Sequence, residues 1–206
     1  MKHIIFDMDG TLVDSGIMIA KTINFVRQNI GLEVLDAQIM LEKINDPHIN
    51  SAQYFYGTND FTQEQSDLFS QYYHENCVVG VELFDGIYDL LVDVSKNYQL
   101  SVATNASSIF ANKILAHLNV DHFFDHVIGA DMVKESKPHP QMLLDIMTQF
   151  DLQKEACILV GDSHKDLYAA NNAGIKSYIV NWGFTQYSDE NVVQTVEELK
   201  QKLNAH

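Results

Sequence analysis

The chain has 206 residues, with 28 acidic against 13 basic side chains and a formal net charge of −15. That length accommodates one full domain plus a small second one, and the ordinary hydrophobic and aromatic content supports a buried core. The charge argues against nucleic acid and anionic membrane surfaces as partners, and it means that a phosphate site here needs a metal and local cations.

Cys77 and Cys157, the two cysteines, stand too far apart for a disulfide framework or a zinc pattern. No apolar run approaches the roughly 18 residues that cross a membrane. The N-terminal apolar run is interrupted by Asp7 too early for a signal peptide. The expectation is a cytoplasmic protein, monomer or homodimer.

The first element is a short apolar strand, His3 to Phe6. Helical spacing then takes over: Ser15 stands at an N-cap position, and Ile19, Ile23, Val26 and Ile30 recur three and four apart before Gly31. Further helices are expected at Asp36–Ile44, Ile49–Tyr56 and Thr62–Val78. No strand-like alternation interrupts residues 15–80, which read as an all-helical insert with aromatics such as Phe25, Tyr54, Phe55 and Phe69 in its core. From Val81 the rhythm becomes helix–strand. Helices are expected at Gly86–Asn97, Ser107–His117, after Pro140, at Ser163–Ala173 and at Asn191–Leu203. Strands are expected at Gln99–Ala103, His126–Gly129, Cys157–Val160 and Ser177–Val180. This alternation predicts an α/β fold, a doubly wound, Rossmann-like parallel sheet covered on both faces. The core then comprises residues 1–14 and 81–206, and the small helical domain residues 15–80.

The chemically loaded residues fall where the strands end. Asp7 and Asp9 follow the first strand, Thr104 and Asn105 the second and Asp162 a later one, while Lys137 precedes a helix. In a doubly wound sheet those strand ends converge on one crevice. Taken singly, each residue has a plain structural explanation: an acidic turn, a helix cap, a solvated lysine. Taken together they supply what phosphoryl transfer needs. Asp7 is placed to attack phosphorus, and Asp7 with Asp162 to hold Mg²⁺. The Thr104 hydroxyl, the Asn105 N–H and the Lys137 ammonium are placed to hold the transferring oxygens. Asp9 is placed to protonate the leaving alkoxide and then to deprotonate water.

The stretches Asp7-Met8-Asp9-Gly10-Thr11-Leu12-Val13-Asp14-Ser15, Thr104-Asn105, Ser136-Lys137-Pro138 and Gly161-Asp162-Ser163-His164-Lys165-Asp166 resemble the four ordered motifs of the haloacid dehalogenase-like hydrolases. With Trp182-Gly183-Phe184 after the last core strand and a helical insert after the first motif, the chain is most similar to the phosphoglycolate phosphatase-like branch. The resemblance implies Mg²⁺-dependent hydrolysis of a small phosphorylated metabolite through a phosphorylated Asp7. It also implies that the Asp9 carbonyl joins Asp7 and Asp162 on the metal, and that Asp166 orients metal-bound water or Lys137. An acid at position 9 sets the chain apart from the dehalogenases themselves. Where relatives commonly carry Gly-x-Pro or Gly-Pro-Pro, this chain has Ile44-Asn45-Asp46-Pro47-His48, which puts phosphoglycolate itself in question. Lys43, His48 and Arg27, the single arginine, are the candidate substrate contacts of the insert. The alternatives are a sugar phosphomutase, a pyrophosphatase or nucleotidase on the same core, and a silent ligand-binding domain.

Overall fold

The computed structural model describes residues 2–46, 48–184, 186–187 and 192–205. Strands β1 (Lys2–Phe6), β4 (Tyr98–Ala103), β5 (His126–Ile128), β6 (Cys157–Gly161), β7 (Lys176–Val180) and β8 (Val192–Val193) form one parallel sheet. Its spatial order is β5-β4-β1-β6-β7-β8. The chain therefore builds outward from β1 in one direction and then returns to build in the other. That reversal leaves a crevice at the C-terminal edge beside β1.

Period-2 alternation decides what each strand residue faces. On β1, Ile4 and Phe6 pack with apolar residues of helices α5 (Ile87–Val94), α6 (Ser108–His117) and α9 (Val196–Asn204). Ile5 points the other way, onto helices α7 (Gln141–Gln149) and α8 (His164–Ala173). Both faces are covered, which is why β1 and β6 are continuous hydrophobic runs rather than alternating ones.

His3 is the polar exception on β1. It is fully buried on the α7 side, its Nε2 lies 2.7 Å from Ser101 Oγ, and its Nδ1 has no partner among the described residues. Burial pushes its pKa from 6.5 down to about 4, with Asp125 partly opposing. The unfolded chain thus takes up a proton between pH 6.5 and 4 that the folded chain refuses, so stability present at neutral pH is lost as the pH falls through that window. The loss attributable to His3 is on the order of 3 kcal/mol by pH 4. Urea denaturation of His3→Gln at pH 7 and pH 4.5 is expected to show a smaller acid loss than the parent; equal losses would remove His3 as the cause.

Helices α1 (Gly16–Asn29), α2 (Ala37–Ile44), α3 (Ser51–Tyr56) and α4 (Gln63–Asn76) form the helical segment after β1. Ala20, Ile23, Val26, Met40, Phe55 and Tyr56 make its buried cluster, with Phe69 packed against it. Of the aromatics expected in this core, Tyr54 is instead 37% exposed, and Phe25 stacks on Tyr72 with ring centres 4.4 Å apart.

Two short features depart from the sequence reading. Strands β2 (Val13–Asp14) and β3 (Glu82–Leu83) pair antiparallel, so the two connections flanking the helical segment form one ribbon. The helix expected over 191–203 is divided. Val192 and Val193, both buried, pair with Ile179 and Val180 as β8, and Thr195 then caps α9 by accepting a hydrogen bond from Glu198 N at 3.2 Å. Asn191 lies outside the described residues. Among the described residues, no helix is long and apolar enough to cross a membrane.

Candidate active site

The ends of β1, β4 and β6 open into one cavity of about 640 Å³ lying between the sheet edge and the helical segment. Asp7 directly follows β1, and its backbone N–H continues the ladder by donating to Val160 O at 2.8 Å. The chain then turns sharply. Leu12 and Val13 donate back to Met8 O at 2.9 and 3.0 Å, and Gly10 adopts a positive φ of 86°. A Cβ at Gly10 would sit 2.2 Å from Asp162 Oδ2, and one at Gly183 only 2.5 Å from the same oxygen. Glycines at these two positions let two backbone segments close on the Asp162 carboxylate, which accepts from Phe184 N at 3.2 Å and Asn45 Nδ2 at 2.9 Å.

Lys137 is the electrostatic centre. Its Nζ donates to Asp7 Oδ1 at 2.6 Å, Asp166 Oδ1 at 2.6 Å and Ala103 O at 2.7 Å, using all three ammonium protons. Burial alone would lower its pKa; Asp166 and Asp7 outweigh that and raise it, so the ammonium stays charged. Asp166 is fixed from its other oxygen by the Ser163 hydroxyl and by Ser163 N at 3.2 Å, which is also the capping box that starts α8. The Asn105 side chain ties down the Lys137 loop by donating to Lys137 O at 2.8 Å.

The acids are crowded. Asp7, Asp162 and Asp166 are all buried, with carboxylate oxygens within 4.8 Å of one another. Burial is the main cause that pushes Asp7 up to about 7, with Lys137 opposing and Asp166 adding to it. Burial also raises Asp162 well above the carboxylate range, with Asp7 and Asp166 adding repulsion. Asp9 is raised by burial too, against a hydrogen bond from the Ser15 hydroxyl to its Oδ1. Three buried carboxylates against one buried ammonium leave a deficit of positive charge. An all-oxygen donor set of this kind fits a hard divalent cation.

Residues 4–180 match the family model described as haloacid dehalogenase-like hydrolase. The chain belongs to the haloacid dehalogenase-like hydrolases. This hydrolase is 30% identical over 202 residues to a protein of Aquifex aeolicus named phosphoglycolate phosphatase, with 92% of this chain and 89% of the relative covered. A phosphoglycolate phosphatase of Photorhabdus laumondii is 31% identical over 191 residues, covering 89% and 82% respectively. Among solved structures, a predicted phosphatase from Clostridium acetobutylicum matches with a TM-score of 0.88 at 25% identity, covering 100% of this chain and 99% of the other. Its relatives place the hydrolase among the phosphatases of the family.

Of the residues singled out in the sequence, Asp7, Asp9, Thr104, Asn105, Lys137, Asp162 and Asp166 all line the one cavity. The three insert residues do not. Arg27 is buried in the helical segment, where Nε donates to Glu33 O at 2.7 Å and a terminal nitrogen donates to Phe55 O. Lys43 is half-buried 3.9 Å from Asp46, and His48 is exposed; neither lines the cavity. Pro47 in the same loop lies outside the described residues. Arg27→Met is accordingly expected to cost about 1–3 kcal/mol in urea denaturation, the range for unpairing buried carbonyls, with kcat/KM per folded molecule unchanged. A large rise in KM without a stability loss would return Arg27 to the substrate.

Four residues with direct roles in the geometry escaped the sequence reading. Asn45 reaches Asp162 from the unusual loop. Ser15 occupies the N-cap position of α1 but makes no side-chain cap and instead donates to Asp9. Ser163 fixes Asp166. Lys165 lines the cavity and donates to Ile44 O at 2.7 Å, joining α8 to the end of α2.

Proposed function

We propose that the chain is a Mg²⁺-dependent phosphatase that hydrolyses a phosphate monoester, phosphoglycolate-like or of another small cytoplasmic metabolite, through an aspartyl-phosphate on Asp7. The observation that carries this reading is the pair of 2.6 Å contacts from Lys137 to Asp7 and Asp166 at the floor of the cavity, beside Asp162 and Asp9. In this reading residues 15–80 form a cap over a core of residues 1–14 and 81–206.

Asp7 and Asp162, with the backbone carbonyl of Asp9, would hold the Mg²⁺. Bound there, the ion would supply the positive charge that lets an anionic carboxylate approach an anionic ester. Lys137 holds Asp7 Oδ1, leaving Oδ2, which among the described residues has only a long 3.4 Å contact from the Thr11 hydroxyl, as the attacking oxygen. Attack forms the Oδ2–P bond and breaks the bond from phosphorus to the leaving oxygen, which takes a proton from Asp9. Asp9 then accepts a proton from the incoming water as it displaces phosphate and restores Asp7. The Ser15 hydroxyl holds Asp9 in place, and burial favours the protonated form the first step needs. Thr104 and the Asn105 N–H contribute donors for the phosphoryl oxygens from the β4 end.

Phosphate release from a panel of small monoesters, pyrophosphate, nucleotides and sugar phosphates tests the reading. Release is expected with Mg²⁺, and none with EDTA or with Asp7→Asn. Mg²⁺ is also expected to raise the Tm of the parent protein but not of Asp162→Asn. Conversion of a sugar phosphate with no free phosphate would move the assignment to the mutase, and Mg²⁺-independent ligand binding without turnover would move it to a binding domain.

A further inference from the structure

The floor of the cavity is committed to phosphate chemistry, but its walls have a different character. From the helical segment Ile23, Phe55, Tyr56, Phe69 and Tyr73 face it, and Phe110 of α6 completes the wall from the sheet side. These rings form a connected surface. Phe69 stacks on Tyr73 with ring centres 5.5 Å apart, and Tyr73 meets Phe110 edge-on at 5.0 Å. The contact between Tyr73 and Phe110 carries the wall across from α4 to α6.

Charge on that wall is missing. Among the described residues, Lys137 and Lys165 are the cations that line the cavity. Lys137 has spent all three protons on Asp7, Asp166 and Ala103 O. Lys165 lies on the floor side beside Asp162 and Asp166 and gives one proton to Ile44 O at 2.7 Å, so its charge serves the floor and not the aromatic wall. The polar wall groups are neutral: Gln65 accepts from Thr62 N through Oε1 in the α4 capping box, and Ser66 Oγ donates to Thr62 O at 3.0 Å. A leaving group that lies along the α4–α6 wall, away from Lys165, would therefore put a carboxylate against aromatic rings with no cation beside it. An uncharged ring or branched alkyl group there would bury apolar surface and gain ring–ring contacts. The cavity, at about 640 Å³, falls in the range that takes ligands well beyond two carbons.

We infer that this site, within the phosphatase reading it rests on, takes phosphate monoesters of uncharged, largely apolar alcohols, with an aromatic ring as the best filler, and discriminates against carboxylated esters such as phosphoglycolate.

Benzyl phosphate and phosphoglycolate both release a primary alkoxide, so comparing them isolates the wall from the chemistry. With Mg²⁺ and the parent protein, kcat/KM for benzyl phosphate is expected to exceed that for phosphoglycolate by about 30-fold or more, mainly through KM. Ser70→Arg, an exposed position on the cavity wall, is expected to shift the ratio at least about tenfold toward phosphoglycolate by adding the missing cation. Phe61→Ala removes a ring that is 55% exposed and sits edge-on to Tyr56 at 5.9 Å; it is expected to raise KM for benzyl phosphate. Phosphoglycolate turned over as well as or better than benzyl phosphate would overturn the inference and leave the phosphatase intact. No release from any ester, the activated p-nitrophenyl phosphate included, would overturn both.

Discussion

Asp7→Asn is expected to lower phosphate release by about 10⁴-fold or more while the protein stays folded. The two halves of that expectation have separate causes. An amide oxygen retains the shape of the carboxylate and can still accept from Lys137, but the amide is not a nucleophile toward phosphorus. The position itself is held by the main chain, since Asp7 N donates to Val160 O at 2.8 Å. The charge on Asp7 is not what holds the fold, because burial already pushes its pKa up to about 7. Removing that charge removes the cost of burying it and the repulsion with Asp166, which together outweigh the lost attraction to Lys137. The melting temperature, measured without added metal, is thus expected to match or exceed that of the parent. Asp9→Asn is the companion variant. Its loss is expected to be about 10²–10³-fold on esters with poor leaving groups. With p-nitrophenyl phosphate, whose leaving group needs no proton, the first step is expected to survive as a burst of p-nitrophenolate, followed by slow base-deprived hydrolysis of phosphorylated Asp7. Turnover by Asp7→Asn within tenfold of the parent would end the nucleophile assignment. A collapsed Asp7→Asn would instead mean that the carboxylate is structural.

The core of this arrangement was legible because it combines strong local signals with a topological rule. Continuous apolar runs at β1 and β6 mark strands buried on both faces. Once the sheet is parallel, every acid at a strand end is directed to one edge. That logic brings Asp7, Asp162 and Lys137 together across more than a hundred residues of chain. Features without periodicity were not legible. Two-residue strands such as β2, β3 and β8 carry no alternation, and Val192-Val193 reads as the first turn of the helix that follows. Arg27 is the opposite case, with a signal present but outweighed by its charge. It stands four residues after Ile23 and one after Val26, on the face of α1 that packs inward. A long stem with a terminal fork suits that position, where it can bond the backbone of α3 and of the loop after α1. Asn45 and Ser15 are short neutral side chains whose partners, Asp162 and Asp9, are set only by how the loops close. The aromatics of α3 and α4 show both roles at once. Phe55 and Tyr56 belong to the buried cluster of the helical segment, and the same rings line the cavity.

Lys137→Met is expected to inactivate the protein as thoroughly as Asp7→Asn but, unlike it, to destabilise the fold. Lys137 is 4% exposed, and its ammonium binds two buried carboxylates and one carbonyl at 2.6–2.7 Å. Methionine fills similar space with no proton to donate. Asp166 then keeps a buried oxygen facing an apolar group, and Ala103 O loses its partner. Orphaning one side of a buried ion pair costs about 3–5 kcal/mol. For a chain of this size that is a fall in Tm of about 6–20 °C. Arginine is no rescue, because a planar fork cannot deliver three donations from a single atom to Asp7, Asp166 and Ala103 O. The double variant Lys137→Met/Asp166→Asn separates the two losses. It removes the Asp166 charge, and the Asp7 carboxyl, already pushed up to about 7 by burial, takes a proton once the ammonium is gone, so most of the lost Tm is expected to return. Phosphate release stays absent because no ammonium orients Asp7 or keeps it ionised. A single variant that melts with the parent would show that Asp166 finds another partner, and the ammonium would then be needed for the chemistry alone. A double variant that recovers turnover along with Tm would remove Lys137 from the reaction and leave it as the counter-ion of Asp166.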